Sequence, residues 1–317
     1  MLLREATPEE RRLYYLEEWK ASYLPDYITG SLTMREFAFD YNGEGPKDRY
    51  RNFVSLTQFE GHMVSSQPYA AYSSVAFYKE PQKRSGWLSA ELVFDIDAKD
   101  LPVRSCNCRK GDVCEVCMGE AKEFVLSISD TLRDIFSLKD IKFVYSGRGY
   151  HIRVFDEEVL TLSSQERAEL LDYVAGNVVP EKENLKGRYP ELFIKKAIKI
   201  LPLFTADVMK EFDQPAVRVH RVHRLLKYLP DVLEDIENGS FRKFREILSN
   251  KTYLSLLETI REVNAGMVDA KVTVDVKRIL RLPGSLHSKV SMICTPVKNL
   301  ESFDPFRDAV PRFVMER

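Results

Sequence analysis

Hydrophobic and polar positions along this chain follow two different periods, and the change from one to the other divides it. In ELVFDID, residues 91–97, Leu92, Phe94 and Ile96 share one face while Val93, Asp95 and Asp97 share the other, which predicts a strand. IKFVYSGRGYHIRVF, residues 141–155, predicts two strands joined at a short glycine-containing turn. Tyr150, Ile152 and Val154 fall on one side of the second strand, His151 and Arg153 on the other. Residues 271–297 return to strand character, with Val272, Val274 and Val276 alternating with Thr273, Asp275 and Lys277. Helical spacing governs elsewhere. Ala121, Phe124, Val125, Ile128, Leu132 and Ile135 recur on one helical face. Thr7-Pro8-Glu9-Glu10 reads as an N-cap, a proline at the first helical position and a capping-box glutamate, opening a helix with Leu13, Leu16 and Trp19 as its apolar residues. Ser163 with Glu166 forms a second capping box, and Gly176 is placed to end that helix. Gly43, Gly45 and Pro46 mark a loop, followed by Arg49, Tyr50 and Arg51. The stretch 160–270 shows no strand alternation and reads as helical. The pattern predicts a mixed α/β (α+β) body from residues 1–159 and 271–317, interrupted by a helical subdomain at 160–270.

Composition narrows the function. The 317 residues are 44% hydrophobic, enough for a large core. Acidic and basic residues number 48 and 47, for a net charge of -1, so any nucleic-acid surface must be a local patch or come from a partner. No apolar run reaches the roughly 18 to 20 residues that span a bilayer, and the N-terminus turns charged at Arg4. These features predict a soluble intracellular protein with no membrane partner.

Chemistry concentrates in three places. Asp95 and Asp97 lie two apart on a strand, with both carboxylates on one face roughly 6 to 7 Å apart. Hard carboxylate oxygens suit Mg²⁺ or Mn²⁺, and such a pair can share two ions. Taken alone, a D-x-D is as often a pair of solvent-facing aspartates. Asp275 is a third acid on a distant segment. In SGRGYHIRV, Ser146 offers a hydroxyl, Arg148 a bidentate phosphate contact and His151 an imidazole, which together suit a triphosphate; the P-loop pattern is absent. Lys277, Arg278, Arg281, His287 and Lys289 concentrate charge around Asp275, suited to phosphates or a template. A second basic run, Arg218, Arg221, Arg224 and Lys227 with His220 and His223, reads more simply as a solvated helix face.

Four of the five cysteines, Cys106, Cys108, Cys114 and Cys117, fall within a knuckle at residues 104–119. Clustering in a reducing compartment points to a structural tetrahedral zinc, with an iron–sulfur cluster as the lesser alternative. Cys294 sits in an apolar strand and reads as core.

Together ELVFDIDAKD, the cysteine knuckle, YSGRGYHIRV and VTVDVKRILRLPGSLHSKV resemble the small, catalytic subunit of archaeal and eukaryotic primases, archaeal members most closely. MREFAFD near the start and FDPFRDAVPRF near the end agree. The resemblance implies a primase catalytic domain with a zinc knuckle and a small helical subdomain. It implies metal-binding by Asp95, Asp97 and Asp275. It implies nucleotide contacts from Ser146, Arg148 and His151, from Arg281, His287 and Lys289, and from Arg49. Cys108 as the fourth zinc ligand rests on spacing instead. The implied activity is template-directed synthesis of short primers from NTPs or dNTPs on single-stranded DNA. The implied partner is a large subunit carrying an iron–sulfur domain, and the implied setting is the archaeal cytoplasm, or the nucleus of a eukaryote.

Two other readings stand beside this one. A primase-polymerase or an end-joining repair polymerase shares the D-x-D and glycine–histidine motifs. A catalytically silent scaffold that binds DNA or a partner suits the balanced charge.

Overall fold

The computed structural model describes residues 3–109, 111–177, 188–203, 219–248 and 250–316. Two four-stranded antiparallel sheets organise it. The first has the order β2-β1-β3-β9, built from β1 (Phe37–Asp40), β2 (Asp48–Arg51), β3 (Ala70–Ser74) and β9 (Ile279–Arg281). The second has the order β12-β7-β8-β6, from β6 (Leu92–Asp97), β7 (Ile141–Tyr145), β8 (Gly149–Val154) and β12 (Thr295–Val297). Each brings a strand from the chain's last fifth against strands from its first half. Two hairpins complete the strands: β4 (Ala76–Glu80) with β5 (Ser85–Ala90), and β10 (Leu286–His287) with β11 (Met292–Ile293). The sheets are stitched directly, because Val75 N–H donates to the Arg278 carbonyl at 2.9 Å and Glu91 N–H donates to the Val75 carbonyl at 3.0 Å.

The expected β6 strand and β7–β8 hairpin are present. Leu92, Phe94 and Ile96 are fully buried, and the 20-residue helix Glu115–Asp134 buries Ala121, Phe124, Val125, Ile128 and Leu132 against the same core. Both capping boxes form, and Gly176 closes the helix Ser164–Ala175 in the left-handed conformation. The described residues between 160 and 270 are helical, and no described helix is long and apolar enough to cross a membrane.

Two segments differ from the expectation. The N-terminal helix Pro8–Leu13 widens at once into a π-turn over Tyr14–Glu18, with Trp19 N–H reaching back five residues to the Tyr14 carbonyl at 2.7 Å. The wider turn rotates the face, so Tyr14, Tyr15 and Trp19 are buried while Leu13 and Leu16 are exposed. The alternating segment around Asp275 is not a strand where it alternates. Asp269 accepts from Lys271 N–H and opens a short helix, Ala270–Val274, and the strand begins only at Ile279. A side-chain cap captured the backbone before β pairing could.

Candidate active site

The register of β6 on β8 builds the centre. Asp95 lies opposite His151 and Asp97 opposite Gly149, so both carboxylates stand on the face shared with the imidazole. Gly149 has no room for a side chain: a Cβ there would lie 2.2 Å from the Ile96 carbonyl oxygen and 2.8 Å from Asp97 Cα. The turn before it is equally constrained. Gly147 has φ +108°, and a Cβ there would meet the His287 ring at 2.5 Å. The early strand, the glycine turn and the late segment therefore converge by close backbone approach.

Electrostatics at this point are strained in one sense. Burial, then the neighbouring charges of Asp97 and Asp269, push the Asp95 carboxyl well above its ordinary range, against the pull of Arg278 and Lys99. Its Oδ1 makes no hydrogen bond and lies 3.5 Å from His151 Nε2. His151 is 3% exposed; burial, then Arg153 and Arg281, push its pKa down to about 3. The imidazole is thus neutral at physiological pH and does not neutralise Asp95. Asp97 is held by the Lys99 ammonium at 3.0 Å, a monovalent stand-in for a cation. A half-buried carboxylate with one buried oxygen that makes no hydrogen bond, two residues from one bound by an ammonium, fits a divalent ion.

Buried polar atoms without partners also occur at the glycine turn and the late segment. His287 Nδ1, Arg281 Nη1 and Arg148 Nε make no hydrogen bond. His287 is pushed well below the ordinary histidine value by burial, then by Arg281 and Arg148, which places those guanidiniums beside it. Arg281 also stacks over the Tyr72 ring, 5.3 Å from its centroid. Ser146 is buried at the end of β7, where its N–H donates to the Gly149 carbonyl at 2.9 Å. Lys289 is exposed and, with Arg148, forms one wall of an open cleft of about 890 Å³ whose other wall is the cysteine knuckle. Cationic nitrogens left unpaired at such a site suit phosphate oxygens.

The structure treats the other sequence candidates unequally. Asp275 is exposed, at the end of the Ala270–Val274 helix, where its carboxylate accepts from Lys277 N–H at 2.9 Å. The distant acid whose charge acts most on Asp95 is Asp269, whose N–H donates to the Asp95 carbonyl at 3.0 Å. Arg49 is engaged: its Nε and Nη2 donate to Glu36 Oε1 at 2.9 and 2.7 Å. Cys106, Cys108, Cys114 and Cys117 bring their sulfurs within 4.8 Å of one another, the one group of three or more candidate metal-ligand residues drawn so close among the described residues. Cys114, which caps the Glu115–Asp134 helix and accepts amide hydrogen bonds there, has its thiol lowered to about 7, so that it ionises readily for zinc. Arg218 lies outside the described residues, as do the side chains of His220 and Arg221. Among the described members of that basic run, His223, Arg224 and Lys227 are exposed.

Sequence reasoning missed the support beneath the site. Glu91, fully buried, binds Arg35 at 2.5 Å and Arg153 at 2.6 and 3.0 Å, and its carbonyl accepts from Arg167 at 2.7 Å. Glu36, also buried, holds Arg49 and Arg84. The available signal was a charged pair, Arg35-Glu36, placed directly before the apolar run Phe37-Ala38-Phe39.

Paired strand carboxylates beside unpaired cationic and imidazole nitrogens, on a mixed α/β body, make a candidate site whose groups suit divalent ions and phosphate oxygens. Comparison makes that specific. The family model described as DNA primase small subunit matches residues 94–298. The chain is 47% identical to the DNA primase small subunit PriS of Methanothermobacter thermautotrophicus over 100% of its own length and 99% of the relative's. It is 43% identical to PriS of Thermococcus kodakarensis, covering 99% and 95% of the two chains. The solved polymerase domain of Mycobacterium tuberculosis Ligase D in complex with DNA aligns over 98% of this chain and 87% of its own, at 14% identity and a TM-score of 0.48. This chain belongs to the DNA primase small-subunit family.

Proposed function

We propose that the protein is the catalytic subunit of a DNA primase, a DNA-directed nucleotidyltransferase that makes short primers on single-stranded template and works with a large subunit. The observation that carries this reading is the register that sets Asp95 and Asp97 opposite His151 and Gly149, with His287 against the Gly147 turn and the charges of Arg281 and Arg148 acting on it. Asp95 and Asp97, with Asp275 brought in from the end of its helix, would hold the Mg²⁺ or Mn²⁺ ions. Ions bound there would lower the pKa of an attacking 3′-hydroxyl and screen the charge of a triphosphate.

The remaining roles belong to the chain's own groups. Arg148, Arg281 and Lys289 take phosphate oxygens, and their charge opposes the charge that builds on the leaving pyrophosphate. His151 and His287, neutral and buried, offer N–H donors without adding charge. Ser146 and the Gly147–Gly149 backbone fix the turn against β6. The knuckle cysteines would hold a structural zinc. The described residues between 160 and 270 serve as a helical subdomain packed on the catalytic body through Arg167 and Lys196.

The test is an unprimed single-stranded template assay with labelled NTPs and dNTPs, run with added Mg²⁺ or Mn²⁺ and with chelator, with and without the large subunit. Asp95→Ala or Asp97→Ala should abolish synthesis while leaving the thermal transition in place. Synthesis at the wild-type rate by either variant refutes the assignment. Extension of supplied primers without unprimed synthesis would indicate the polymerase relatives instead.

A further inference from the structure

Strand β2 is the outer edge of its sheet, and it does not pair regularly. Phe37 of β1 lies opposite Arg51 and Phe39 opposite Asp48, so Arg49 and Tyr50 together face the single residue Ala38. This is a β-bulge, a device that re-aims side chains at a sheet edge. Within it Tyr50 has φ +64°, a left-handed conformation that a bulky residue seldom occupies. The result is that Arg49 and Tyr50 no longer alternate. Arg49 turns in to the buried Glu36 and lies 5.4 Å from the centroid of the Tyr50 ring, while Tyr50 as a residue stays 48% exposed.

A second cation completes the shelf. Arg84, at the turn between β4 and β5, reaches the other oxygen of Glu36 at 3.2 Å. Arg84 Nη2 also donates to the Lys277 carbonyl at 2.6 Å, two residues beyond Asp275. An exposed aromatic residue therefore stands on Arg49, which shares one buried carboxylate with Arg84, and Arg84 is tied to the segment that carries the third acid. One carboxylate for two guanidiniums leaves the shelf cationic. Nothing apolar is gained by displaying the ring, and glycine would hold this backbone without strain.

We propose that Tyr50 is a stacking platform for a base of the single-stranded template, with Arg49 beneath it and Arg84 on the shared carboxylate, both facing the sugar–phosphate backbone. Base stacking on an exposed ring beside cationic groups is how single strands are held without sequence preference. The proposal rests on the primase reading for its ligand, but its test does not use catalysis.

The measurement is fluorescence anisotropy of a labelled oligothymidylate with the full chain at low salt, alongside the thermal transition of each variant. Tyr50→Phe should bind as the wild type does. Tyr50→Ala and Tyr50→Gly should each bind on the order of tenfold more weakly. Tyr50→Gly should melt at or above the wild-type temperature, because the left-handed backbone suits glycine. Binding within about twofold of wild type in both truncations overturns the proposal, as does failure of the wild type to bind the oligothymidylate. A loss in Tyr50→Phe as large as in Tyr50→Ala overturns it too, by assigning the effect to the hydroxyl. Lowered melting of Tyr50→Gly in step with weaker binding would show a merely structural residue. Asp95→Ala should bind the oligothymidylate normally, so retained synthesis in that variant would strike the catalytic reading alone.

Discussion

Single atoms decide how the site is held. The hydrogen of Gly149 is all that fits between β8 and the Ile96 carbonyl, since a methyl group would approach that oxygen to 2.2 Å. Backbone is the obstacle, so the strain cannot be relieved by rotating a side chain. Gly149→Ala should force β6 away from β8, costing about 3 kcal/mol or more in a denaturant titration. It should also displace the Asp95 and Asp97 carboxylates and abolish synthesis in whatever fraction still folds. An alanine variant that keeps both stability and activity would show that the strand pair is far softer than this packing allows. Buried neutral histidines act at the same scale. With His151 at about 3, no imidazole proton at that position is exchanged in the neutral range, so an alkaline or acidic limb near pH 6 or 7 must come from another group.

Elements differ in how plainly the sequence announces them. The β7–β8 hairpin is legible because its two strands and its turn are contiguous, and the capping boxes because each is complete within four residues. The sheet of β1, β2, β3 and β9 is not. Its strands run three to five residues, β1 is buried on both faces so that no alternation shows, and β9 arrives more than two hundred residues after β3. Valine alternation near Asp275 misleads for the opposite reason, because a local cap at Asp269 overrides a strand-like pattern. The helix Arg188–Ile200 hides another fact that only packing reveals. Its Lys196 is 1% exposed, with the ammonium 3.9 Å from the centroid of the Phe124 ring and donating to Ser127 Oγ at 2.9 Å. Burial, then the charge of Lys199, lowers its pKa to about 7 from the ordinary 10.5. The unfolded chain therefore binds more protons than the folded one between those values, and stability contributed by this group rises with pH across that window. Below about pH 7 the folded lysine is charged and its burial penalty is constant. Lys196→Met should abolish the rise and stabilise the neutral-pH protein by an amount on the order of 3 kcal/mol, read as melting temperature against pH. A variant that keeps the wild-type slope would place the titration elsewhere.

The molecule as a whole is joined through charge buried in its core. Glu91 sits where the two sheets meet, and its carboxylate binds Arg35 from the start of β1's segment and Arg153 from β8. Separations of 56 and 62 residues explain why no local pattern disclosed it. Arg153 is held charged by this contact, so removing the carboxylate strands two cations in the interior. Glu91→Gln should cost about 3 to 5 kcal/mol and loosen both sheets together, visible as one cooperative transition at lower denaturant. Two separate transitions would mean that the sheets fold as independent units.

Charge on the outside follows a different logic. A net charge of -1 gives no long-range attraction to a polyanion, and several of the basic groups near the site are already committed. Arg49 and Arg84 share Glu36, and Lys99 bridges Asp97 and Asp100. Few cations remain to displace counterions from a template: the one charge by which the Arg49–Arg84 pair exceeds Glu36 and, with no triphosphate bound, Arg148, Arg281 and Lys289. Single-strand affinity should accordingly fall with salt only weakly, with a log–log slope of magnitude about 2 to 3 for this chain alone. Adding the large subunit should steepen the slope if that partner supplies the missing positive surface. Titration of a labelled single strand at several salt concentrations, with and without the partner, measures both values. A steep slope for the isolated chain would mean that cations now paired, or those on the basic run at 218–227, turn to the template when it binds.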